Sequence, residues 1–206
     1  MSGRDNIPFY VKQGFDNYEK TIKDYFIDNY DNGKVVKTME LLDVYDNNGN
    51  KTGRTIIRGD KTAILNENEH IAVAVIFIEN DNGEFLIQKS SQEKGGVFSS
   101  TGGHVVSGEI PLETIRREVK EELGVDIDQE QIEEFGFLLY DKPLRYLYYL
   151  KKNILIDSLT IQKEEVEYVE YMDVPKIKKL IETNQMLKSH GIMFNELMEK
   201  RRVLIK

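Results

Sequence analysis

The chain has 206 residues, a formal net charge of −8 at pH 7 and no cysteine. Disulfides, thiolate metal sites and cysteine nucleophiles are therefore excluded, and the negative balance argues against broad nucleic-acid or anionic-membrane binding. With no leader-like segment and no bilayer-length apolar run, the expectation is a soluble cytoplasmic protein with one core and an extension.

In chain order, residues 1–13 read as a loose start. Phe15, Tyr18, Ile22, Tyr25 and Phe26 then fall on one helical stripe, which Asp31-Asn32-Gly33 ends. Such a helix packs on the domain or on a second subunit. Residues 40–58 read as a hairpin around the turn cluster Asp46-Asn47-Asn48-Gly49-Asn50. Residues 71–78 are almost wholly apolar and β-branched, the pattern of a strand buried on both faces. Asn80-Asp81-Asn82-Gly83 turns the chain into a partner strand over 85–89.

Residues 102–125 stand out. A glycine loop, Gly102-Gly103, runs towards a helix with Pro111 at its first position and Gly124 just past its end. Ile110 is a poor N-cap. Leu112, Ile115, Val119 and Leu123 recur as a core stripe. Glu118, Glu121 and Glu122 stand at i, i+3 and i+4, flanking that stripe. Like charges at this spacing disfavour an isolated helix by about 0.2–0.5 kcal/mol per pair. A hard divalent cation reverses that sign, and Mg²⁺ favours carboxylates, waters and substrate phosphates. This account needs the acids gathered around an ion, not splayed apart or consumed by internal ion pairs.

Beyond it, 132–140 and 144–150 read as two strands around Asp141-Lys142-Pro143. Tyr140, Tyr146, Tyr148 and Tyr149 make them aromatic: either a stacking surface or, the simpler reading, a half-buried sheet with hydroxyls at its rim. Residues 166–172 alternate as a strand. Val174-Pro175 opens a helix to about Leu187. His190-Gly191 breaks the chain, and 192–205 reads as a last amphipathic helix.

Gly103, Glu109, Arg117, Glu118, Val119, Glu121, Glu122, Gly124 and Val125 match the Nudix hydrolase signature at every defining position, so the chain resembles that superfamily. The hairpin strip Glu-Leu-Leu-Asp-Val-Tyr-Asp resembles a subgroup akin to isopentenyl diphosphate isomerase, in which the hairpin helps pair subunits. The resemblance implies an α/β fold: a Nudix α/β/α sandwich with a mixed sheet, plus an N-terminal helix and hairpin and C-terminal helices. The implied division is an extension over 1–38, a Nudix domain over 39–188 and a packed helix over 189–206, with a homodimer as partner state.

The implied activity is Mg²⁺-dependent hydrolysis (Mn²⁺ as the alternative) of a diphosphate linkage in a nucleoside diphosphate carrying another group. Glu118, Glu121, Glu122 and the Gly102 carbonyl would hold metal. Glu118 is the first candidate for general base, with Glu164 or Glu165 second. Arg117 would pair with Glu109 and fix loop to helix. Lys89, Phe98 and Glu164 are candidate substrate contacts, although Ser90 replaces the subgroup's arginine and Phe98 its tryptophan. Glycine at 102 stands where the isomerase branch has its cysteine, which removes that enzyme's acid–base group. His70 and His104, metal ligands in that branch, read here as hydrogen-bonding residues. The alternatives are a ligand-binding module without turnover, and an isomerase.

Overall fold

A computed structural model describes residues 40–204. The stripe over 15–26 lies outside them. Strands β1 (Leu41–Tyr45) and β2 (Lys51–Ile57) form the expected hairpin. Its turn is closed by the Asp46 carboxylate, whose Oδ1 accepts from the amides of Asn48 and Asn50 at 2.8 and 2.9 Å. Such side-chain-to-backbone bonds are why Asx residues mark turns.

The main sheet is built on β3 (Ala72–Glu79). One edge of β3 pairs in parallel with β8 (Leu144–Lys151), which pairs antiparallel with β7 (Ile132–Leu139). The other edge takes β6 (Thr101–His104) antiparallel along its first half and meets β4 (Phe85–Ser90) at its end. β5 (Phe98–Ser99) and β9 (Val166–Met172) flank β4. The sheet is mixed, as the sequence implies.

Alternation along β3 sorts two cores. Ala72, Ala74, Ile76 and Ile78 pack under α1 (Pro111–Leu123) with Ile115, Val119 and Leu123. Val75 and Phe77 face the opposite way, against α2 (Val174–Glu182) and α3 (Lys188–Leu204), where Phe77, Phe85 and Phe194 meet ring to ring. Helices thus cover both faces. Tyr148 points into the first core and Tyr149 into the second, so the two do not share a stacking surface.

Three expectations need correction. Gly102-Gly103 is strand, not loop: Gly103 pairs with Ala74 and Gly102 with Val75. Glycines carry no strand signal, and here the pairing with β3 overrides their propensity. α2 ends at Glu182 instead of about Leu187, because Asn184 takes a left-handed conformation and residues around Met186 pair with Phe98. α3 runs unbroken through His190-Gly191. A side chain at Gly191 would meet Ile181 of α2 at 3.1 Å, so this glycine serves helix approach. His190 is buried and its Nδ1 accepts from the Ser100 amide at 3.1 Å.

Candidate active site

α1 begins and ends as the sequence predicts. The weak N-cap is compensated: the Ile110 amide donates to Glu113 Oε2 at 2.9 Å. The helix stripe seats its floor on β3 and β6, which presses Glu118 against Gly103. A Cβ on Gly103 would lie 1.9 Å from Glu118 Oε1, so only glycine admits this carboxylate.

Arg117 forms the expected fork with Glu109: Nε donates to Oε1 at 2.9 Å and Nη2 to Oε2 at 3.2 Å. It also does more than expected. Nη1 donates to Glu118 Oε1 at 2.8 Å and to Glu121 Oε2 at 3.0 Å, and Nη2 to the His104 carbonyl at 3.3 Å. One guanidinium therefore ties loop, strand and helix acids together. Burial opposes ionisation of Glu109, but the bonds from Arg117 and Thr114 win and hold its carboxyl below the usual range.

Glu122 differs. Among the described residues its Oε2 accepts only from the Gln88 amide, at 3.0 Å, and Gln88 Oε1 in turn accepts from Thr101 Oγ1 at 3.3 Å. Burial pushes the Glu122 carboxyl up to about 8, and the charges of Glu118, Glu165 and Glu121 add to this. Burial also raises Glu118, although Arg117 beside it counteracts. Glu121 is exposed. Among the described residues, no three His, Asp or Glu side chains stand together as a ready-made cage for an ion. Yet Mg²⁺ is commonly held by one or two carboxylates, waters and substrate phosphates. Against the expectation of acids free of internal ion pairs, Arg117 engages both Glu118 and Glu121. Glu122 has no ion pair among the described residues, and with Glu118 raising its proton affinity from beside it, these two carboxylates fit that donor set.

Glu165 is half-buried, paired with Lys94 at 2.7 Å, and its charge is felt at Glu122. Glu164 is exposed; its carbonyl accepts from Ser91 Oγ at 2.8 Å. Lys89 and Phe98 are brought together, with Nζ 4.4 Å from the ring centre. They stand on the α2–α3 face, opposite to Gln88 and Glu122, because strand neighbours alternate. His70 lies between the Lys142 carbonyl (2.7 Å) and Asn47 Oδ1 (2.6 Å). Burial drives the His104 imidazole down to about 4, with Arg58 adding to it.

Sequence reasoning missed Gln88 as a site residue. The available signal was a polar amide at the inward position of a buried strand, in phase with Leu86. It also missed the grip of the hairpin on the site. Asp43 accepts from Ser107 Oγ at 2.7 Å and from the Gly108 amide at 3.3 Å, and Lys51 Nζ donates to the Glu109 carbonyl at 3.1 Å.

A glycine strand, an acid-bearing helix tied to the preceding loop by the arginine fork, and helices on both faces of a mixed sheet define the Nudix class of fold. The chain belongs to the Nudix hydrolase family: residues 68–189 match its NUDIX domain. It is 29% identical over 153 residues to an uncharacterised Nudix hydrolase of Listeria monocytogenes, covering 72% of this chain and 89% of that one. A Listeria innocua counterpart is 30% identical with the same coverage. Nudix hydrolase 3 of Arabidopsis thaliana is 29% identical over 159 residues, but these are 69% of this chain and only 20% of the plant protein. Among solved structures, a Deinococcus radiodurans protein superposes with a TM-score of 0.64 at 21% identity, covering 76% of this chain and 98% of its own. No helix among the described residues is long and apolar enough to cross a membrane.

Proposed function

We propose that this chain hydrolyses the diphosphate linkage of a nucleoside diphosphate joined to another group, with Mg²⁺ or, in its place, Mn²⁺. The observation that carries this reading is Glu122: a carboxyl pushed up to about 8, crowded by Glu118, Glu121 and Glu165, with a neutral amide as its one hydrogen-bond donor among the described residues. A diphosphate repels an attacking hydroxide, so its charge must be neutralised and a water deprotonated. The bound cation would supply that neutralisation and lower the pKa of the water.

The remaining work falls to this chain's own residues. Glu118 and Glu122 would hold the ion, with Glu121 swinging in from solvent and the Gly102 carbonyl as a further ligand by family resemblance. Arg117 keeps Glu118 oriented through its fork on Glu109. Glu118 is the first candidate to accept the water's proton, and Glu165, close enough to bias Glu122, is the second. A substrate would meet Lys89 and Phe98 only where its longer arm passes the β4–β5 edge, and Glu164 only from solvent.

The test is a panel of nucleotide derivatives incubated with and without Mg²⁺, with products identified by mass spectrometry. The expected result is cleavage between two phosphoryl groups that EDTA abolishes. Binding of the same compounds without cleavage under any divalent cation would replace this reading with that of a ligand-binding module.

A further inference from the structure

The family match covers residues 68–189 and leaves the β1–β2 hairpin outside it. The hairpin is nonetheless built into the segment that carries Glu109. The Ser107 amide donates to the Leu41 carbonyl at 2.7 Å, and Leu42 bridges to Val106. Asp43 takes two further donors of that turn, the Ser107 hydroxyl at 2.7 Å and the Gly108 amide at 3.3 Å. Lys51 closes the arrangement: its Nζ lies 2.7 Å from Asp43 Oδ2 and 3.1 Å from the carbonyl of Glu109 itself. Tyr45 and His70 exchange both backbone hydrogen bonds, at 2.7 and 2.9 Å, so the hairpin is anchored to the core independently of these contacts.

We infer that the hairpin is a working part of the site, with Asp43 and Lys51 as positioning residues that set the 106–109 turn and through it the Glu109–Arg117 fork. This rests on the proposed function for its effect on turnover, but not for the clamp itself. Glu109 contacts the helix acids only through Arg117. Thr114 Oγ1 of α1 also donates to the Glu109 carboxylate at 2.7 Å, so what the hairpin adds is a hold on the Glu109 backbone. The turn itself has little to fix it: Gly108 lies in a left-handed conformation, and the Glu109 amide bonds locally, to Val106 three residues back. The lasting restraints come from across the hairpin. A charged acceptor that satisfies a hydroxyl and an amide while paired with a cation is a stronger tether than either bond alone. The Asp43 side chain is 13% exposed and that of Lys51 40%, so the pair is shielded from solvent on the carboxylate side alone.

The experiment compares Asp43→Ala, Lys51→Met and Lys51→Arg in the full chain. It follows amide hydrogen exchange over 105–110, with β3 and β8 as internal references, alongside kcat and KM. Exchange at 105–110 is expected to accelerate about tenfold or more in Asp43→Ala and Lys51→Met while β3 and β8 stay protected. kcat should fall about tenfold or more with KM within about twofold, since misplaced groups cost rate more than affinity. Lys51→Arg, which keeps a donor, should recover most of both.

Unchanged exchange at 105–110 would overturn the inference. So would equal acceleration across β3 and β8, which would mean general destabilisation, or a loosened turn with kcat intact. A wild-type chain without turnover on any substrate would sink the proposed function instead; the exchange arm would still decide whether the clamp exists.

Discussion

Two glutamates drawn back from water, Glu79 buried and Glu122 half-buried, one on each side of the central sheet, are treated in opposite ways. Glu79 ends β3 on the α3 side. Arg201 Nη2 reaches its Oε2 at 2.8 Å, the Tyr149 hydroxyl donates to the same oxygen, and the guanidinium sits 4.4 Å from the Tyr149 ring centre. Its countercharge is part of the fold. Glu122, on α1, is half-buried, with three acidic neighbours and one amide. A buried carboxylate without a cation is costly, and proteins ordinarily pair it or leave it protonated. The contrast separates structure from chemistry: the first acid fastens a helix, whereas the second stores repulsion that a divalent cation would relieve.

Conservative substitution should split the pair most sharply. Glu122→Gln or Glu118→Gln should lower kcat by about a thousandfold or more, since each removes a charged ligand that water cannot replace. Glu122→Gln should at the same time raise the urea midpoint of the metal-free chain at pH 8. Glu79→Gln should do the reverse, costing about 3 kcal/mol in urea melts by stranding Arg201, with turnover per folded molecule intact. If both glutamates behaved alike, the contrast would fail.

The pH dependence of metal-free stability sharpens the same point. Glu122 holds its proton to about 8 when folded and to an ordinary value of 4.5 when unfolded. The folded state therefore binds more protons between those values, and stability falls as pH rises through them. His190 works in the opposite sense: burial lowers it to about 4 from 6.5, so its contribution is complete above 6.5 and is lost as pH falls towards 4. Urea midpoints in EDTA should thus decline from pH 6.5 to 8, and Glu122→Gln should flatten that decline. The smallest effect concerns the loop acids. Glu165→Gln should reduce kcat by about tenfold, as a positioned proton acceptor or charge would, while Glu164→Gln should stay within about twofold.

Much of this was legible in the residues. The helix Pro111–Leu123, the hairpin, β3 and β9 follow from periodicity, a proline at the first turn and a closing glycine. The Arg117–Glu109 fork follows from the resemblance to the Nudix signature, with charge to support it. What escaped is what depends on long-range pairing. Gly102-Gly103 is strand because β3 offers it partners, and nothing local says so. Helix α3 continues through His190-Gly191 because Ile181 needs the space and Ser100 needs an acceptor. Gln88 is 34 residues from Glu122 and Asp43 is 64 from Ser107, so no window of sequence contains either contact. Lys89 and Phe98 illustrate the converse: the subgroup pattern marks the right strand, but alternation puts its amide, not its lysine, beside the acids.

The most direct measurement is Mn²⁺ binding to the substrate-free chain, followed by electron paramagnetic resonance, in wild type, Glu118→Gln, Glu122→Gln and the double variant. The account predicts that wild type sequesters the ion and that each single substitution weakens binding by about tenfold or more, with the double variant weaker still. Undiminished affinity in the double variant would contradict it, because the ion would then be held elsewhere and the crowding of acids on α1 would have some other cause.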